Sequence, residues 1–167
     1  IRPTPMLAYA VRYLKTAAGV MVTASHNPKN YNGYKVYSHK GSQILEDDAD
    51  EILKEIKNIE YGKIERVHFE KALKGGLIEI VSDIVDENYY EKVLNLSINR
   101  GDELDKNLKI IYTPLNGCGN KPVRHILKER GFQNITIVKE QENPDPDFTT
   151  VGYPNPEMPE ACLLYTS

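Results

Sequence analysis

Apolar residues at Met6, Leu7, Ala10, Val11 and Leu14 recur at helical spacing, and the prolines of Pro3-Thr4-Pro5 sit where a missing N–H is tolerated best. The pattern predicts a helix that ends near Ala17-Ala18-Gly19 and returns directly into a short buried strand, Gly19 to Thr23. A second strand is expected from Gly33 to Tyr37, with Lys35 and Tyr37 on one face and Tyr34 and Val36 on the other. Gly41 marks a turn before a brief strand. Asp47 to Ile59 then reads as a helix with an acidic start, Ile52, Ile56 and Ile59 at helical spacing, and Lys54 and Lys57 on a solvated face.

Residues 60 to 74 carry no decisive period. Gly75-Gly76 breaks the chain before LIEIV, whose alternation predicts a short strand, and from Asp83 a helical pattern returns through Tyr89, Tyr90, Val93 and Leu94. A polar, turn-rich stretch, Asn99 to Asn107, precedes the strand Leu108 to Tyr112. After it come the loop TPLNGCGN, a helix from about Lys121 to Arg130, Gly131 as a stop, and the strand ITIV. Helices alternating with strands give an α/β chain, and a boundary between two α/β units is expected in or just before the helix after Asp83. The expected division is 1–84 and 85–167.

Composition narrows the function. The 167 residues are 40% apolar and 27% charged, with 21 Lys+Arg against 24 Asp+Glu for a formal charge of −3. Neither sign forms a block, so nothing favours nucleic acid or an anionic membrane, and a small-molecule ligand is expected. No apolar run approaches the ~20 residues that span a bilayer, and no signal-peptide pattern opens the chain, so the expected location is cytoplasmic. Cys118 and Cys162 match no metal or redox spacing and are read as free thiols. His39, His68 and His125 lack ligand spacing, and Tyr89-Tyr90 reads as helix packing. The NGCGN turn is weighed as a dinucleotide fingerprint and declined, because Pro122 stands where a third glycine belongs; Asn120 is a candidate helix cap.

The chemistry concentrates in GVMVTASHNPKNYNGYKVY, residues 19–37. On one reading TASHNP is an ordinary strand-to-turn junction whose Thr, Ser and Asn side chains bond nearby backbone. On the other, Ser25 at a strand end carries or receives a phosphoryl group, His26 donates to it, and Lys35 on the returning strand neutralises charge or moves a proton. The residues alone leave both open.

TASHNPKNYNGYKVY resembles the active-site serine loop of the α-D-phosphohexomutases, the phosphoglucomutase and phosphomannomutase family. PTPMLAYAV, YTPLNGCG and NPDPDFTTVGYPNPE resemble further blocks of that family, and the last is most similar to its phosphoglucomutase branch. The resemblance implies mixed-sheet α/β/α layers, with parts of two consecutive similar domains. It implies an enzyme that interconverts hexose 1-phosphate and hexose 6-phosphate, with glucose preferred, through a phosphoserine at Ser25 and a bound glucose 1,6-bisphosphate. Lys35 matches the family's proton-transfer lysine and His26 its loop histidine. Mg²⁺ is implied, held by the phosphate on Ser25 and by aspartates of a D-x-D-x-D-R loop.

That loop does not occur here, and Asp145-Pro146-Asp147 belongs to a different block. The family's G-T-S-G-x-R segment, sugar loop and phosphate-binding domain are also missing from the sequence. The chain is therefore expected to be a fragment of late domain one and early domain two, inactive by itself, with CLLYTS as a foreign tail. The alternative class is a non-catalytic sugar-phosphate or protein-binding module that keeps the loop shape. The sequence leaves the oligomeric state open.

Overall fold

A computed structural model of the chain describes residues 1–99, 104–155 and 157–162. Residues 100–103 of the polar stretch, the tail from residue 163 and the side chain of Cys162 lie outside the described set.

Helix α1, Thr4–Tyr13, begins with a proline in its first turn and buries Met6 and Val11. It stops earlier than the apolar spacing implies. Lys15 adopts a left-handed φ of 54°, and the Thr16 amide donates to the Val11 carbonyl at 3.0 Å, a Schellman-type closure of the kind usually built on glycine. The released residues then start β1, Ala18–Val22, which pairs antiparallel with β2, Tyr34–Ser38, with Met21 opposite Lys35 and Val22 opposite Tyr34.

One face of this hairpin packs on α1. A Cβ at Gly19 would lie 2.5 Å from Val11 Cγ2 and 3.1 Å from Leu7 Cδ1, so only glycine permits this approach of helix to strand. Tyr37 is buried on the same face. The other face carries Val20, Val22 and Tyr34, each more than half exposed, so β1 is half exposed rather than buried as its composition implies.

Helix α2, Glu46–Lys57, has the expected acidic start and basic end, which suit the helix dipole. Its stripe of Ile52, Leu53 and Ile56 is exposed, because no described element packs substantially against it. A 3₁₀ turn at Tyr61–Lys63 and helix α3, Phe69–Lys74, fill the stretch without a decisive period. Gly76, at φ 73°, closes α3 as the Leu77 amide bonds the Ala72 carbonyl at 2.9 Å. LIEIV forms no strand: Leu77 and Ile80 are exposed, and no described strand pairs with the segment.

Helix α4, Ser82–Asn95, joins the two units. It contacts α1 on one side and, on the other, helix α5, Asn120–Glu129. Arg2, just ahead of α1, donates through Nε to both Asp86 carboxylate oxygens at 2.7 and 2.8 Å. That hydrogen bond raises the guanidinium pKa. Tyr9 meets Tyr89 edge-on at 5.6 Å between ring centres, and Tyr90 stacks on His125 of α5 at 4.3 Å. Burial raises the pKa of both α4 tyrosines.

The second unit is built on β3, Ile110–Tyr112, parallel to β4, Ile135–Ile137, with α5 between them. Gly131 ends α5 at φ 87°, as its position implies. A 3₁₀ turn, Lys139–Gln141, and the short helix α6, Pro159–Cys162, complete the described chain. The architecture is thus mixed α/β with one antiparallel and one parallel strand pair. Its accessible surface is 12865 Å², against about 8,400 Å² for a compact monomer of this mass. The exposed faces of β1, β2 and α2 are part of that excess.

Gly41 provides a test of how tightly the hairpin seats on α1. It has φ 75°, and a Cβ there would lie 2.4 Å from the Ala8 carbonyl oxygen, whereas a Cβ on Gly76, at φ 73°, would meet nothing within 4 Å. Gly41→Ala is expected to lower stability by about 1–3 kcal/mol and Gly76→Ala by about 1 kcal/mol. Urea midpoints check this, and equal losses would mean that the Ala8 contact is not tight.

Candidate active site

The site is a loop between two paired strands. Beyond the last β1–β2 pair, the Thr23 amide donates to the Gly33 carbonyl at 2.9 Å and closes the neck of the loop. Within it the Asn27 amide donates to the Ala24 carbonyl at 3.1 Å and the Tyr31 amide to the Pro28 carbonyl at 2.9 Å, so the loop is two consecutive turns. The Gly33 amide is taken by Asn32 Oδ1 at 2.8 Å.

Ser25 occupies the first turn with a left-handed φ of 59°. That conformation costs a serine of order 1 kcal/mol, and such outliers gather at functional sites. Part of the compensation is local: the Ser25 amide donates to Thr23 Oγ1 at 3.0 Å. The Ser25 hydroxyl is exposed and lies 3.4 Å from His26 Nδ1, a long contact that orients the two groups without binding them firmly. Lys35 is half-buried on β2, at the same end of the hairpin and on the face of Tyr37. The structure therefore brings Ser25 and His26 into contact and sets Lys35 on the adjoining strand, with no hydrogen bond from Lys35 to Ser25 among the described residues.

Sequence reasoning missed Lys29. Its Nζ lies 2.6 Å from Asp147 Oδ1, a link from the serine loop to the second unit that no local pattern could reveal across this separation. Asp147 stands in a turn organised by Asp145, whose carboxylate accepts the Thr149 hydroxyl at 2.6 Å, the Thr149 amide at 2.8 Å and the Asp147 amide at 3.0 Å. Those bonds, the Thr149 hydroxyl first, hold the Asp145 carboxyl below its ordinary pKa.

The other glycine-rich turn is structural. Leu115 and Asn116 both have positive φ, the Asn116 amide donates to the Gln141 carbonyl at 2.8 Å, and Asn116 Nδ2 donates to the Asn143 carbonyl at 2.7 Å. Asn120 does not cap α5. Gly119 precedes the helix, and Asn120 Nδ2 instead donates to the Glu142 carbonyl at 2.6 Å. A Cβ on Gly119 would lie 2.6 Å from the Tyr112 hydroxyl, so this glycine serves packing. An open hollow of about 650 Å³ between α1 and α4, lined in part by Tyr9, Tyr13 and Tyr89, includes no residue of the serine loop.

The described residues hold no group of three or more His, Cys, Asp or Glu side chains placed to bind a metal. Asp145 is engaged with Thr149 and Asp147 with Lys29, so neither of these carboxylates stands free to hold Mg²⁺. No described helix is long and apolar enough to cross a membrane.

Comparison with known proteins decides what the loop belongs to. The family model for phosphoglucomutase/phosphomannomutase, alpha/beta/alpha domain I, matches residues 1–63, and the model for domain II matches residues 87–166. The chain belongs to the phosphoglucomutase/phosphomannomutase family. It is 41% identical over 164 residues to a phosphoglucomutase of Staphylococcus haemolyticus, covering 98% of this chain and 29% of that protein. A phosphopentomutase of Mus musculus is 36% identical over 166 residues, covering 98% of this chain and 26% of that protein. Among solved structures, one assigned as a phosphomannomutase from Thermus thermophilus superposes with a TM-score of 0.70 at 27% identity, over 99% of this chain and 34% of that one. The chain thus spans under a third of the length of these curated relatives.

Two outcomes follow from the loop geometry. Ser25→Gly is expected to leave the thermal midpoint unchanged or to raise stability by up to about 1 kcal/mol, since glycine enters the left-handed region freely; a clear loss would mean the serine side chain holds the turn. The lowered Asp145 pKa implies stabilisation of the 145–149 turn that is present above the unfolded Asp value of about 3.9 and is lost as pH falls through the lower folded value. The Thr149 amide resonance followed through acid pH checks this, and a shift completed at the ordinary Asp value would contradict it.

Proposed function

We propose that this chain carries the serine relay of a phosphohexomutase, as the late part of domain one and the early part of domain two, divided near residues 84 and 85. The observation that carries the reading is an exposed serine on left-handed backbone at a strand-end turn, with a histidine ring 3.4 Å away, inside the segment that matches the family's domain I. The small-molecule partner is a hexose phosphate. Glucose is favoured by the similarity to a phosphoglucomutase across 98% of the chain. The phosphopentomutase relative supports a pentose phosphate as the second reading.

In the proposed cycle Ser25 is a phosphoserine. The P–O bond to Ser25 Oγ breaks as a new bond forms to the C6 hydroxyl of hexose 1-phosphate, and that hydroxyl's proton leaves through Lys35. The sugar is then a 1,6-bisphosphate. Its C1 phosphoryl group passes to Ser25 Oγ, a proton returns to the C1 oxygen, and hexose 6-phosphate is released with the phosphoserine regenerated. His26 donates to the phosphate. Such transfers depend mainly on positioning and on stabilising charge. Mg²⁺ would compensate that charge, with the phosphate on Ser25 as this chain's contribution to its ligands.

The test is made on the full-length protein that carries this segment, located in the cytoplasm on this reading. Ser25 is expected to be phosphorylated as purified or after incubation with glucose 1,6-bisphosphate and Mg²⁺, read by phosphopeptide mapping. Ser25→Ala is expected to abolish isomerisation of glucose 1-phosphate, and Lys35→Ala to lower kcat by about 100-fold. The 167-residue chain alone is expected to show no turnover. An unmodified Ser25 under these conditions would favour a non-catalytic sugar-phosphate or protein-binding module, and faster turnover of ribose 1-phosphate than of glucose 1-phosphate would favour the pentose reading.

A further inference from the structure

Among the described residues, the hydrogen bonds of the serine loop close within the loop or its neck: Thr23 to Gly33, Ser25 to Thr23, Ser25 to His26, Asn27 to Ala24, Tyr31 to Pro28 and Gly33 to Asn32. None of these reaches beyond the loop. Lys29 and Asp147, 2.6 Å apart and both more than half exposed, form an ion pair that does. An exposed ion pair adds little to stability, so its consequence is geometric. Asp147 lies in a turn closed by its own bonds, between Pro146 and a residue at φ 48°, Phe148, with its amide on the Asp145 carboxylate. An exposed loop bearing the strained Ser25 is thereby tied, four residues downstream, to the 145–149 turn of the other unit.

We propose that Asp147 is a positioning residue for phosphoryl transfer at Ser25 and acts through Lys29. The second unit then contributes to the serine site without touching substrate. Holding the loop narrows the orientations of Ser25, and rates of phosphoryl transfer are sensitive to orientation. The proposal rests on the serine-relay reading above. It adds to that reading a pair of residues on which the relay's rate depends.

The experiment compares the full-length protein with its Lys29→Glu, Asp147→Lys and doubly reversed variants, and with the milder Asp147→Asn. Two quantities are read: the rate at which Ser25 takes a phosphoryl group from glucose 1,6-bisphosphate, by intact mass, and amide hydrogen exchange across Thr23 to Gly33. Each single change is expected to slow loading roughly five-fold, the order that loss of one exposed pair allows, and to speed exchange in the loop. The double reversal is expected to restore both, and salt at about 1 M to bring native and variant proteins together. Single variants that load and exchange like the native protein, or a double reversal that restores neither, would overturn the proposal. A native protein that takes up no phosphoryl group overturns the relay reading and the transfer role together. That failure is distinguishable, because hydrogen exchange still reports whether the pair holds the loop.

Discussion

The described structure depends on how closely α1 lies on the hairpin. Gly19 of β1 has no room for a methyl group beneath Val11 and Leu7, and Gly41, in the turn after β2, has none beneath the Ala8 carbonyl, so the helix meets the hairpin and the turn that follows it at two points where backbone meets backbone or a stiff branched side chain. Those contacts fix the twist and height of β1 and β2, and the strand register then determines where the serine loop emerges. Val11 is buried against this contact, and with Met6 and Tyr37 it forms most of the first unit's core. Everything the site needs from the first unit is a consequence of this seating.

The second unit is held by different means. Its two strands are short, and the loops at their carboxyl ends are joined by polar bonds: Thr113 Oγ1 to Gln141 Oε1 at 2.5 Å, the Asn116 amide to Gln141, and Asn120 to Glu142. Gln141 is fully buried, so its oxygen requires the Thr113 hydroxyl. Gln141 Nε2 and Asn116 Oδ1, one donor and one acceptor, are buried without a protein partner among the described residues. Rigidity here matters, because this unit presents Asp147 and supports α4, the helix through which Arg2 and the tyrosines join the two halves.

The site shows a division of labour between strain and freedom. Ser25 is held at an unfavourable φ by two short turns, but its hydroxyl faces solvent, and its contact with His26 is long. The loop's order therefore comes from its neck and its tether rather than from contacts to the Ser25 hydroxyl.

Much of this was legible in the sequence, and the exceptions have identifiable physical causes. Helical spacing located α1, α2, α4 and α5, and Gly131 marked a helix end because only glycine enters the left-handed region freely. The serine loop was legible because its residue types are chemical and its spacing is short. LIEIV was misread because alternation shows only that the local backbone can be extended, whereas a strand forms only where a partner supplies its hydrogen bonds. The same reason left β1 and α2 with exposed apolar faces: a pattern of apolar residues is set locally, but burial needs an opposing surface. Lys15 stopping α1, Asn120 bonding Glu142 instead of capping, and Lys29 meeting Asp147 were all decided by tertiary structure. Sequence alone located most of the elements and singled out the candidate site residues, because both readings depend on neighbours along the chain; which faces are covered and what the serine loop reaches depend on contacts between distant residues, which only the folded chain creates.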